Sequence, residues 1–261
     1  MLTLYEHPLS PYVQKVKIAL REKGVPFQAM TPNAIGSGAA AGAFVEANPR
    51  AEVPALVDGQ TRIFDSTVIL EYIEDSWPSP AMLPASPAER ARVRMIEDVM
   101  DTQFEAINWG LSEIHRFKRA EGALADALLA RAAAQTAGFL AWLERALGDR
   151  LWFNGEAFGW GDLSVVPYLN GAVGFGNAPA RGSPLSDWLE RANARPSVAE
   201  TAREAKASLA SLAQVAQVIE SGRFKREYRD HRLEWMIKSG GVEVVLKGLE
   251  KNNIRFSTDF R

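Results

Sequence analysis

The 261-residue chain has room for one or two domains with cores of their own, and its 47% hydrophobic and 24% charged residues are the proportions of an ordinary globular protein. A net charge of −2 supplies no overall positive field for nucleic acid or an anionic membrane surface, and no run approaches the roughly 20 apolar residues that span a bilayer. The absence of cysteine excludes disulfides, thiolate metal sites and any redox thiol of the protein itself; the three histidines, His7, His115 and His231, lack zinc-motif spacing, so no metal is expected.

Leu2–Tyr5 reads as a short strand, and His7-Pro8-Leu9-Ser10-Pro11 as a loop that ends where a helix begins, because proline suits a first helical turn. Val13, Val16, Ile18, Ala19 and Leu20 recur at helical spacing up to Lys23, and Gly24 stops the helix. Pro26–Met30 is a second strand, and Ala43–Ala47 a short helix ended by Asn48-Pro49. Ala55–Val57 and Thr61–Phe64 flank Asp58-Gly59-Gln60 as a hairpin, and Ser66 opens a helix with Val68, Ile69, Tyr72 and Ile73 on one face. The order is βαβαββα, an α/β layer.

Four prolines, Pro78, Pro80, Pro84 and Pro87, break any helix or sheet over residues 77–87 and mark a linker. Beyond it, Ala- and Leu-rich segments predict an all-helical domain over 88–220, with helices at Ala88–Phe117, Ala123–Leu147, Asp162–Val173, Leu185–Asn193 and Ser197–Ile219. The fold class is therefore α+β, an N-terminal βαβαββα domain over 1–76 followed by helices. The last segment, 221–261, carries ten Lys/Arg against six Asp/Glu and apolar residues enough to dock on the body. The N-terminus has no signal-peptide pattern, which places the protein in the cytoplasm.

Ser10, after a strand and before Pro11, lies at the positive end of a helix, where an anion is favoured. Its O–H can donate to an incoming sulfur, and lowering a thiol pKa of about 8.5 by one to two units makes thiolate the main species at neutral pH. Ser10 as a plain helix cap is the alternative, and His7, three residues earlier, is a candidate base toward it. A cis bond at Val53-Pro54 would turn the Val53 main chain outward to pair with a peptide; a simple strand-entry proline is the alternative. Asp65-Ser66 suits the head group of an α-amino acid, with the ammonium on Asp65 and the carboxylate at the helix start capped by Ser66; helix capping alone is the alternative.

Ser10-Pro11-Tyr12 before an amphipathic helix, Val53-Pro54 before a hairpin and Asp65-Ser66 at the next helix start together resemble the cytosolic glutathione transferase family, in its serine-type form. The resemblance covers about residues 1–220 and implies a thioredoxin-like first domain, an all-helical second one and a homodimer. It implies further that glutathione is a co-substrate and that no cofactor is held permanently. Ser10 then matches the serine that activates the glutathione sulfur, Val53, before the family's cis-proline Pro54, the residue that pairs with the cysteinyl part, and Asp65 and Ser66 the holders of the γ-glutamyl end. Gly159-Trp160-Gly161-Asp162-Leu163 looks like the family's helix-capping element, with Gly159 where Ser or Thr is usual. Glu52 stands where related enzymes often have Gln or Lys, leaving Arg50 or Lys15 to balance the glycyl carboxylate.

The same resemblance puts the acceptor pocket between the domains, with Tyr12, Thr102 and Trp109 as lining residues. On a continuous helix Asp98, Thr102, Glu105, Trp109 and Ser112 would share one wall. The expected reaction is attack of glutathione thiolate on a small electrophile, aromatic or hydrophobic. The alternative is a non-catalytic module of the same fold that binds a protein partner. The segment 221–261 would serve as a lid or a subunit contact.

Overall fold

The computed structural model describes residues 1–33, 40–209, 233, 237 and 240–251. Four strands form one mixed sheet in the order β2-β1-β3-β4: β1 (Leu2–Tyr5), β2 (Phe27–Met30), β3 (Ala55–Asp58) and β4 (Thr61–Phe64). β1 runs parallel to β2 and antiparallel to β3, and β3 pairs antiparallel with β4. The parallel pair needs a crossover, which α1 (Pro11–Glu22) provides. Gly59 has φ 58 in the turn between the paired residues Asp58 and Thr61, a conformation that a side chain would oppose.

Strand alternation sorts the two faces. Leu2, Leu4 and Leu56 face one way and pack with Val13, Val16 and Leu20 of α1 and with Ile69, Leu70 and Ile73 of α3 (Ser66–Ser76). Tyr5 and Ala55 face the other way, against Phe44 and Ala47 of α2 (Ala43–Ala47). The βαβαββα order read from the sequence is the observed one. One local expectation is corrected: Asp65, not Ser66, is the N-cap of α3, and its Oδ1 accepts from Thr67 N–H at 3.0 Å and Val68 N–H at 3.3 Å.

The helical part begins with α4 (Pro87–Val99), continues through a π-helical turn (Met100–Phe104) into α5 (Glu105–His115), and returns as α6 (Gly122–Leu147). The predicted helix Ala88–Phe117 is thus continuous but not uniform. A π turn inserts about one extra residue, which rotates everything after it by about 100° relative to an unbroken α-helix. The predicted helix Asp162–Val173 is split into α7 (Trp160–Leu163) and α8 (Val166–Gly174), because Pro167 has no N–H to donate to the Leu163 carbonyl. α9 (Pro184–Asn193) and α10 (Pro196–Leu209) follow, and α11 (Val242–Glu250) lies in the last segment. Of the expected helix Ser197–Ile219, positions 210–219 lie outside the described residues, as does most of 221–261, on which the lid or subunit-contact expectation falls.

Gly159 at the start of α7 has a steric reason. A Cβ there would come within 2.3 Å of both Asn154 Nδ2 and the Met82 carbonyl, so the usual capping Ser or Thr has no room. Its main-chain N–H instead donates to Asp162 Oδ2 at 3.1 Å. Asp162, wholly buried, also accepts from Phe153 N–H at 2.8 Å, Asn154 N–H at 3.2 Å and the Trp188 indole at 2.8 Å. Burial pushes its carboxyl up to about 6 against the pull of these four donors.

Candidate functional site

Ser10 caps α1. Its Oγ accepts from Val13 N–H at 3.4 Å, and its own N–H donates to the His7 carbonyl at 2.9 Å. The cap uses an oxygen lone pair and leaves the hydroxyl proton for an outside acceptor, so capping and donation to a sulfur are compatible. His7 is not arranged as a base toward Ser10: its Nδ1 accepts from Leu9 N–H at 3.3 Å, and burial lowers its pKa despite the opposing pull of Glu6.

The Val53-Pro54 bond is cis, and Pro54 directly precedes β3. Among the described residues the Val53 N–H and C=O pair with no other main-chain group. Across the hairpin, Asp65 is held at φ 73, in the left-handed region that a non-glycine residue rarely occupies. Its carboxylate is exposed and caps through Oδ1 alone, while Ser66 beside it is buried. Arg50, proposed as a partner for the glycyl end, stacks over the Phe64 ring at 5.2 Å.

Lys15, the other residue considered for that carboxylate, is not available to it. Its side chain is wholly buried and pairs with Glu97 and Asp101, each at 2.5 Å. Glu97 accepts further from Thr67 Oγ1 at 2.9 Å and from the Trp160 indole at 2.5 Å. Asp101 accepts from the Tyr168 hydroxyl at 2.6 Å. Burial is the main influence on Asp101 and raises its pKa against the pull of Lys15. For Lys15 burial works downward, but the two carboxylates outweigh it and hold the ammonium charged. Tyr168 stays a neutral donor, its pKa raised well above the ordinary value by burial and then by Asp101. Reasoning from sequence missed this cluster. A lysine inside the apolar run of α1 was the available signal, but its partners lie 82 and 86 positions away.

The residues assigned to the acceptor wall are distributed differently. Tyr12 donates from its hydroxyl to the Asp101 main-chain carbonyl at 2.6 Å and meets Tyr168 edge-on, with centroids 6.2 Å apart. In an α-helix that carbonyl would accept from Glu105 N–H, which in the π turn donates to the Met100 carbonyl instead. Thr102 is exposed and turns its hydroxyl back to the Asp98 carbonyl at 2.6 Å. Trp109 is half-buried on α5, beyond the π turn, so Asp98, Thr102 and Trp109 do not form the single stripe expected from regular spacing.

A thioredoxin-like sheet with a serine at the first helix start, a cis-proline before the hairpin and an all-helical partner defines a class, and comparison with known proteins agrees. Residues 4–81 match the family described as Glutathione S-transferase, N-terminal domain, and residues 126–191 match Glutathione S-transferase, C-terminal domain. Glutathione S-transferase U28 of Arabidopsis thaliana is 29% identical over 207 residues, 75% of this chain and 86% of that protein. Maleylacetoacetate isomerase of Pseudomonas aeruginosa is 30% identical over 180 residues, 68% of this chain and 84% of that protein. A solved glutathione S-transferase of Methylobacterium radiotolerans, in complex with glutathione sulfonate, has a TM-score of 0.64 at 31% identity and covers 77% of this chain and 93% of that one. The chain belongs to the glutathione S-transferase family, as an enzyme with both of the family's domains and with glutathione as co-substrate. Among the described residues no helix is long and apolar enough to cross a membrane.

Proposed function

We propose that the protein ionises the thiol of glutathione at Ser10 and delivers the thiolate to a small electrophile, aromatic or hydrophobic, bound between residues 1–76 and the helices of 88–220. The observation that carries this reading is the state of Ser10, which caps α1 as an acceptor and keeps its proton for a sulfur at the positive end of that helix. The Val53 main chain pairs with the cysteinyl part of glutathione beside Pro54, while Asp65 and Ser66 receive the γ-glutamyl end. Tyr12 and Trp109 contribute aromatic walls to the acceptor site; Thr102 contributes a surface rather than its hydroxyl, which is already bonded. The enzyme works in the cytoplasm as a homodimer, and the exposed apolar residues Val68 on α3 and Met95 on α4 suit a subunit contact.

Ser10→Ala tests the mechanism. The variant should bind glutathione about as well as the wild type, lose the ultraviolet absorbance of bound thiolate at neutral pH, and turn over about a hundredfold more slowly. Unchanged thiolate absorbance would remove Ser10 from the chemistry.

A further inference from the structure

Glu97 belongs to the helical part of the molecule and is 2% exposed, yet it gathers donors from three other elements. One of its oxygens takes Lys15 Nζ of α1 at 2.5 Å and Thr67 Oγ1 of α3 at 2.9 Å; the other takes Trp160 Nε1 of α7 at 2.5 Å. Two of these donors lie close in the chain to the glutathione-facing residues. Thr67 follows Ser66, and its N–H is the group that Asp65 Oδ1 caps at 3.0 Å. Lys15 lies on the same helix that Ser10 begins.

The third donor is fixed on its own account. Trp160 N–H donates to the Met82 carbonyl at 2.8 Å, the Arg94 guanidinium lies 5.6 Å from its ring centroid, and two residues on, Asp162 is locked by its four donors. A carboxylate accepts at defined lone-pair directions, so donors that share one are set relative to each other. The chain of contacts therefore runs from the capping element of α7, through Glu97, to the first turn of α3.

We propose that Glu97 is a positioning residue for the glutathione site: through Thr67 it sets the start of α3, and with it Asp65 and Ser66, relative to Ser10 and to the helical domain. This rests on the glutathione reading above and gives a residue that touches no ligand a part in recognising the γ-glutamyl end. The distance between the γ-glutamyl contacts and the sulfur donor is what glutathione measures, and Glu97 touches the elements that bear both.

Thr67→Val is the direct probe, because it removes the hydroxyl, keeps the shape and leaves the N–H that Asp65 caps. The dissociation constant for glutathione, measured by titration calorimetry, should rise about threefold to tenfold, and Thr67→Ser should restore it. Turnover at saturating glutathione should stay unchanged. Cysteinylglycine, which lacks the γ-glutamyl residue, should compete equally well against the wild type and Thr67→Val. Trp160→Phe, which frees the other oxygen of Glu97, should give the same pattern of weakened glutathione and unaltered cysteinylglycine. An unchanged glutathione affinity in Thr67→Val, or an equal loss for cysteinylglycine, overturns the role of Glu97. A wild type that fails to bind millimolar glutathione overturns the glutathione reading itself, which keeps the two failures apart.

Discussion

Lys15 and Lys17 lie two residues apart on α1, both buried and both shared by two carboxylates, yet they serve opposite kinds of seam. Lys15 meets Glu97 and Asp101, whose side chains are 3% and 14% exposed, and every polar atom it meets belongs to a closed cluster with Thr67, Trp160 and Tyr168. Lys17 meets Glu6 at 2.6 Å and Glu204 of α10 at 2.7 Å, and Glu204, one-third exposed, is shared with Arg21 of the same helix α1. One helix thus docks the helical part twice. The lesson is that a second cation, more than the number of carboxylates, decides what a buried lysine does: on the α10 side Arg21 still holds Glu204 when Lys17 is lost, and on the α4 side no other cation pairs with Glu97 or Asp101 among the described residues.

The largest break in that comparison should come from Lys15→Met. It strands two carboxylates in a closed site, and urea unfolding should report a loss of about 3–5 kcal/mol, the range for a buried pair broken on one side. Lys17→Met should lose less, about 1–3 kcal/mol, because Arg21 still holds Glu204 at 2.6 Å while Glu6 is left unsatisfied. A loss at Lys17 equal to that at Lys15 would end the distinction between the seams.

The smallest and sharpest difference is in pH dependence. Burial pushes the Glu204 carboxyl upward, but hydrogen bonds from Arg21 and Lys17 outweigh it and lower its pKa; Glu22 is lowered in the same way by Arg195 and Ser197. A lowered native pKa gives stability that is whole above about pH 4.3 and disappears as the pH falls through the native value. Asp101 has the opposite sign. Its native carboxyl is raised, so it keeps a proton that the unfolded chain releases above about pH 3.9, and its contribution shrinks as the pH rises through the raised value. In urea midpoints taken across acid pH, Glu204→Gln should flatten the loss on acidification, by less than about 1 kcal/mol given its exposure. Asp101→Asn should flatten the opposing slope, and matching slopes in the two variants would refute the assignment.

Much of the N-terminal βαβαββα part was legible because its signals are local. Strand lengths, Pro11 at a helix start, Gly59 in the hairpin turn and Asp65 beside Ser66 all act within a few residues, and each stands where such signals put it. The assignment of the α3 cap to Ser66 failed because Asp and Ser are comparable caps and only the backbone decides between neighbours. The closed cluster was illegible for a different reason. A lysine in an apolar run says that a partner exists, but not which carboxylate supplies it 82 residues later. The π turn left no mark either, since the composition of Met100–Phe104 is that of any amphipathic helix.

That turn has one more consequence. The acceptor for Tyr12 is a main-chain carbonyl, set free because Glu105 N–H reaches back to Met100. Such a tether is indifferent to which side chain occupies position 101 and is written in the length of the helix instead. Substitutions along this stretch can drift without cutting it from the helical side, whereas loss of a single residue, by restoring α pairing, would take the carbonyl back into the helix and release the tyrosine. The register of a loop-free segment is thus protected against exchange of letters and vulnerable to a change in their number.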